Sequence, residues 1–135
     1  MGRQDCLADA NLLLAAGWDT HPRHAEARKW LLSTKGIHTC DITELGFIRI
    51  SMSQAFKSTM AEAVAFIKAI ESGGYIRKLN KAVTVSEIPT VTSYKDTTDS
   101  YLMHLASKSN LTLATLDQAL LGKSWADGIA FDPFA

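Results

Sequence analysis

The chain has few of the features that would anchor it, staple it or leave it unfolded. Its three prolines and eight glycines build no Pro/Gly/Ser-rich linker, and there is no low-complexity tract or internal repeat. Residues 1–135 therefore read as a single domain, long enough to bury a core. Two cysteines, Cys6 and Cys40, lie in short apolar stretches and read as buried thiols rather than a disulfide, which fits a reducing compartment. No apolar run approaches the roughly 20 residues needed to span a bilayer. The basic start, apolar stretch and cleavage site of a signal peptide are missing as well. A cytoplasmic protein with no membrane partner is expected.

Charge of one sign is also lacking, since 14 Lys plus Arg balance 14 Asp plus Glu. Overall charge pulls toward neither nucleic acid nor an anionic membrane, so any nucleic-acid role needs a local basic patch. No Gly-rich phosphate loop or dinucleotide fingerprint occurs. Ser51, Ser53 and Ser58 have no evident His–Asp arrangement, which argues against a triad hydrolase.

What is present is an alternation of short apolar runs with helical periods. Strands are expected at 5–9, in "GIHTC", in "AVTVSEI" (β-branched, hence a third strand), in "LTLAT" and in "GIAF". Helices are expected at 11–16, from "THPRHAEARKWLL" with Pro22 in its first turn, and in "DITELGFIRI". Further helices are expected at 59–71, in "DTTDSYLMHLASKSN" ending near Asn110, and in "DQALLG". In the 59–71 helix Met60, Ala63, Val64, Ile67 and Ile70 make one stripe, with Phe66 and Ala69 on another side. Alternating strands and helices predict a mainly parallel sheet of five strands covered on both faces, whose ligands bind beyond the carboxyl ends of the strands.

Four acids fall at strand-to-helix junctions: Asp9, Glu44, Asp99 and Asp117. Three have ordinary explanations. Asp41 and Glu44 have the spacing of a capping box, Asp96 and Asp99 of a looser one, and Asp117 can cap the short helix after it. Asp9 stands among Leu7, Ala8, Ala10 and Leu12, where a carboxylate is costly unless compensated. No Lys or Arg lies within three residues of Asp9, Glu44 or Asp117, although a partner from elsewhere in the fold remains open. Carboxylates gathered on one rim raise each other's pKa, and a hard divalent cation is the common remedy. Such an ion activates water and stabilises charge on a phosphoryl oxygen, so phosphodiester cleavage is the chemistry expected.

The segments "LADANLLLA", "HPRHAEARKWL", "ITELGFIRI", "TTDSYLMHLA" and "LTLATLDQALL" run in an order that resembles the PIN-domain family, specifically VapC-type ribonuclease toxins of bacterial toxin–antitoxin pairs. The resemblance covers most of the chain. It implies a three-layer α/β/α sandwich with a central parallel sheet, dependence on Mg²⁺ or Mn²⁺, and cleavage of RNA. By motif match Asp9, Glu44, Asp99 and Asp117 form the acidic quartet: Asp9 and Asp99 as first metal ligands, Glu44 and Asp117 for a second ion or metal-bound water, Asn11 and Thr115 as supporting hydrogen-bond partners. It also implies a cognate VapB-type antitoxin, docked along helices 42–50 and 59–71, and a homodimer. One departure is Leu116 in "TLD", where the family often has an aromatic residue; the link 73–96 matches no motif.

Other signals read as structural. His21 and His24 have metal-compatible spacing but no third His or Cys nearby. Trp30 is expected in the core, and Trp18 and Trp125 in surface packing or base stacking. Arg77, Lys78 and Lys81 form the densest basic cluster; with Arg49, Lys57 and Lys95 they can flank the acidic rim and hold an RNA backbone. Two competing readings are a PIN-like binding module without catalysis and a metal-dependent phosphatase. The phosphatase is opposed by Asn11, where such enzymes commonly carry a second Asp.

Overall fold

The computed structural model describes residues 5–135. Five strands form one sheet: β1 (Cys6–Ala8), β2 (Ile37–Thr39), β3 (Arg77–Lys78), β4 (Thr112–Ala114) and β5 (Ala130–Phe131), in the order β3-β2-β1-β4-β5. Every neighbouring pair is parallel. Among the described residues six α-helices connect them: α1 (Ala10–Gly17), α2 (His24–Ser33), α3 (Asp41–Ser51), α4 (Met60–Ser72), α5 (Thr97–Lys108) and α6 (Gln118–Leu121). The expected α/β architecture with a five-stranded parallel sheet is therefore present.

Strand alternation sorts the core onto two faces. Cys6 and Ala8 of β1 and Ala114 of β4 point toward α1–α4, with Leu13, Trp30, Phe47 and Ile67. Leu7 and Leu113 point the other way, toward Leu102, Leu105 and Leu120 of α5 and α6. Cys6 and Cys40 are buried in different clusters. A strand buried on both sides has no polar alternation, which is why "CLA" carries none.

Local chemistry sets the helix ends. Thr59 and Glu62 close a reciprocal capping box on α4, with Thr59 N–H donating to Glu62 Oε1 at 2.8 Å and Glu62 N–H to Thr59 Oγ1 at 3.1 Å. Asn110, at φ 57°, ends α5 in the left-handed region that Asn tolerates. Leu111 N–H then returns to Ala106 O at 2.8 Å, a Schellman closure that turns the chain into β4. Along α4, Ala63, Ile67 and Ile70 are buried as expected, whereas Met60 is exposed and Val64 half-buried. Phe66 does serve a second contact, lying 5.4 Å from Phe47 and 6.4 Å from Trp18 between ring centroids.

Four expectations need correction. The third strand is not "AVTVSEI" but Arg77–Lys78; residues 82–88 lie off the sheet, with one 3-10 turn at Val85–Glu87. β-branched residues favour strands only where a half-buried pleated surface awaits them, and Val85 is 71% exposed. The chain leaving α4 reaches β2 first and pairs Arg77 with His38, so a basic strand takes the edge. The cap of α3 is formed by Cys40 with Thr43, not by Asp41 with Glu44. Asp96 precedes α5 without a side-chain capping bond. Pro22 falls in the turn before α2 rather than in its first turn. Among the described residues no helix is long and apolar enough to cross a membrane.

Candidate active site

Strand order reverses direction between β1 and β4: one crossover leaves β1 toward β2, and the later one returns to β4 on its other side. In an open parallel sheet this is where a crevice forms beyond the carboxyl ends. Asp9 directly follows β1, and Thr115 and Asp117 follow β4. Asp9 N–H donates to Ala114 O at 2.9 Å, so the two strand ends are locked together at the reversal.

Asp9 is fixed on both oxygens. Ala10 N–H donates to Oδ1 and the Thr115 hydroxyl to Oδ2, each at 2.8 Å. Thr115 is fully buried and accepts in turn from Asn11 Nδ2 and from Asp117 N–H, both at 3.1 Å. Asn11 Oδ1 accepts from Leu116 N–H at 3.1 Å, completing a clasp between the start of α1 and the end of β4. Burial pushes the Asp9 carboxyl above its ordinary range; the bonds from Thr115 and Ala10 oppose that push, and the charge of Asp117 adds to it.

Asp99 stands in the first turn of α5, and among the described residues its carboxylate has neither a hydrogen-bond donor nor an ion-pair partner. A helix start favours a negative charge, yet this group is pushed up to about 6. Burial is the main cause, followed by the charges of Asp9, Asp117 and Asp96. Asp117 caps α6, with Oδ1 accepting from Ala119 and Leu120 N–H at 3.0 and 3.2 Å. The capping role expected for it is therefore real and leaves Oδ2 available.

Glu44 is arranged differently. Its Oε2 accepts from the Thr39 hydroxyl at 2.7 Å, and its Oε1 lies 3.7 Å from Lys78 Nζ. Lys78 Nζ also lies 2.5 Å from Asp41. Asp9, Asp99 and Asp117 are thus in electrostatic range of one another, while Glu44 is not among the charges raising Asp9 or Asp99. Among the described residues no three acids or other ligating side chains already converge on a point fit for an ion.

The donor set still suits a hard divalent cation. Three carboxylates share one rim, burial and then the charges of the neighbouring acids raise Asp99, and none of the three is paired with a described Lys or Arg. Lys78, from the basic cluster expected to flank the acidic rim, pairs with Glu44 itself. Its place beside Glu44 depends on the edge strand β3, which pairs Lys78 with Thr39. Lys123 lies 3.6 Å from Asp96, a pairing that no sequence pattern signals.

The remaining signals have structural roles. His21 Nδ1 accepts from Arg23 N–H at 3.0 Å, and His24 Nδ1 lies 2.8 Å from Ala15 O, so this pair braces a turn. Trp30 is in the core. Trp18 stacks on Phe47 at 6.0 Å and donates its indole N–H to Ser51 at 2.8 Å, and Trp125 packs against the α5–α6 core.

An α/β domain with an acidic rim at its strand reversal is the class defined so far. Ribonuclease VapC38 of Mycobacterium tuberculosis is 33% identical over 118 residues, covering 82% of this chain and 84% of that protein. The crystal structure of PAE2754 from Pyrobaculum aerophilum superposes with a TM-score of 0.66 at 21% identity, covering 96% of this chain and 89% of that one. VapC20 of M. tuberculosis, described as a sarcin-ricin loop cleaving toxin, superposes with a TM-score of 0.58 at 18% identity, over 87% of this chain and 95% of that one. No family model matches the chain. The chain belongs to the VapC family of ribonuclease toxins.

Proposed function

We propose that the protein is a divalent-metal-dependent endoribonuclease, the toxin of a type II toxin–antitoxin pair. It would act in the cytoplasm as a single domain spanning 1–135. The observation that supports this most is Asp99, a half-buried carboxylate with no hydrogen-bond or ion-pair partner among the described residues, pushed up by burial and then by the charges of Asp9, Asp117 and Asp96, on the rim of a VapC-family fold.

Asp9, Asp99 and Asp117 are the residues to hold Mg²⁺ or Mn²⁺, with Glu44 contributing once released from Lys78. A bound ion supplies Lewis acidity toward a phosphodiester and activates water for its cleavage. The chain's own part is positioning. Thr115 and Ala10 fix both oxygens of Asp9, so that carboxylate meets an ion with little freedom to lose. Asn11 holds the β4–α6 turn against α1, which keeps Asp117 on the same rim. Purified protein should cleave RNA with Mg²⁺ and stop when the ion is chelated.

A VapB-type antitoxin fits the outer side of α3 and α4, where Leu45, Met52 and Met60 are 61%, 49% and 55% exposed. A homodimer is part of the same reading. Grafting an acid at Leu45 should weaken antitoxin capture while RNA cleavage by the purified toxin persists.

A further inference from the structure

Lys78 sits where a metal-binding carboxylate would not be expected to keep company with a cation. Its ammonium lies between Asp41, at 2.5 Å, and Glu44, at 3.7 Å. Thr39, fully buried at the end of β2, anchors the other Glu44 oxygen at 2.7 Å. Both Glu44 oxygens are therefore engaged, one by a hydroxyl and one by a positive charge. Lys78 and Thr39 are a register pair, in that β2 and β3 match Thr39 with Lys78. The sheet itself thus delivers both groups to Glu44 from adjacent strand ends.

From this we infer that Lys78 is a positioning residue that restrains Glu44 and competes with the metal ion for it, so that the fourth carboxylate joins the rim only when Lys78 gives way. The inference rests on the metal-dependent reading above. A carboxylate paired with an ammonium is a weaker ligand for a divalent ion, and the ammonium repels the arriving ion. Asp41 supplies the alternative seat. It is on the exposed first turn of α3, so Lys78 can leave Glu44 and remain paired. An RNA phosphate at the rim would offer the same exchange, which couples metal binding to RNA binding: each should strengthen the other, by the same factor.

The test measures Mn²⁺ binding directly by electron paramagnetic resonance, on full chains of wild type, Lys78→Gln, Lys78→Arg, Glu44→Gln and the Glu44→Gln/Lys78→Gln double variant. Lys78→Gln should bind Mn²⁺ more tightly by about tenfold, the size expected from removing one charge beside a partly hydrated divalent ion. Lys78→Arg should stay near wild type. In the Glu44→Gln background the Lys78→Gln gain should vanish, because the two residues act through one another. A Lys78→Gln affinity equal to or weaker than wild type overturns the inference. So does an equal gain in the Glu44→Gln background, which would make Lys78 a general surface charge. A wild-type chain that binds no Mn²⁺ overturns the metal-dependent reading itself, and the restraint with it. Thermal melting of each variant separates these results from misfolding: a Lys78→Gln chain that does not melt cooperatively is replaced by Lys78→Met, with the same expectations.

Discussion

The hydroxyl of Thr115 donates to Asp9 Oδ2 at 2.8 Å, joining two residues 106 positions apart in sequence across the strand reversal of the sheet. Thr115 is also an acceptor for Asn11 and for Asp117 N–H, so one buried oxygen ties three of the residues that shape the rim. Thr115→Val keeps the shape and removes those bonds. It should cost about 1–3 kcal/mol of stability and, as the supporting shell of a metal site, about 10–100-fold in activity. Thr115→Ser should recover most of both. Urea melts and initial rates of RNA cleavage check the pair.

The raised acids make the metal-free protein sensitive to pH. Asp9 and Asp99 bind protons more tightly in the folded chain than in the unfolded one, so they contribute stability below the ordinary carboxylate value of 3.8. For Asp99 that contribution is lost as pH rises from 3.8 through about 6. Melting temperature without metal should fall across that window, and Mg²⁺ should restore it above pH 6. The metal-induced gain should shrink as pH drops through about 6, since ion and proton compete for the same oxygens. Calorimetry with and without Mg²⁺ at several pH values measures this.

Asp99→Asn removes the least compensated charge on the rim. Metal-free stability at pH 7 should rise by about 1–2 kcal/mol, after allowance for solvent screening of a half-buried group. Activity should fall by at least about 10²-fold, in keeping with loss of a group that stabilises charge in the transition state. A gain in stability paired with a loss of function is the signature of a carboxylate retained for chemistry rather than for the fold.

The placement of the edge strand can be tested by two substitutions. Ile76 is buried, at 5% exposure, immediately before β3, whereas Val85 is 71% exposed. Ile76→Ala should cost about 2–4 kcal/mol, and Val85→Thr should stay within about 0.5 kcal/mol of wild type. Equal costs at both positions would return residues 82–88 to the sheet.

The strands with apolar faces on both sides were legible from sequence, because β1 and β4 can only be buried, and the helix starts and stops near them followed. β3 was not, because two residues carrying charge hold no periodic signal; pairing with His38 and Thr39 defines it, and that is tertiary information. The acids were legible as junction residues. Which charges each one faces was not. Asp99 is raised first by burial and then by charges that include the distant Asp9, and Glu44 is claimed by Lys78, which only the edge strand β3 brings near. Asp117 shows that a helix cap and a rim carboxylate can be one residue, since one oxygen caps α6 and the other remains open.

The most direct measurement is cleavage of RNA by the purified chain with Mg²⁺, with Mg²⁺ plus excess chelator, and by Asp9→Asn and Asp99→Asn with Mg²⁺. The account predicts cleavage in the first condition alone, with restoration of the chelated sample by added Mn²⁺. Cleavage that persists both under chelation and in Asp9→Asn would contradict it.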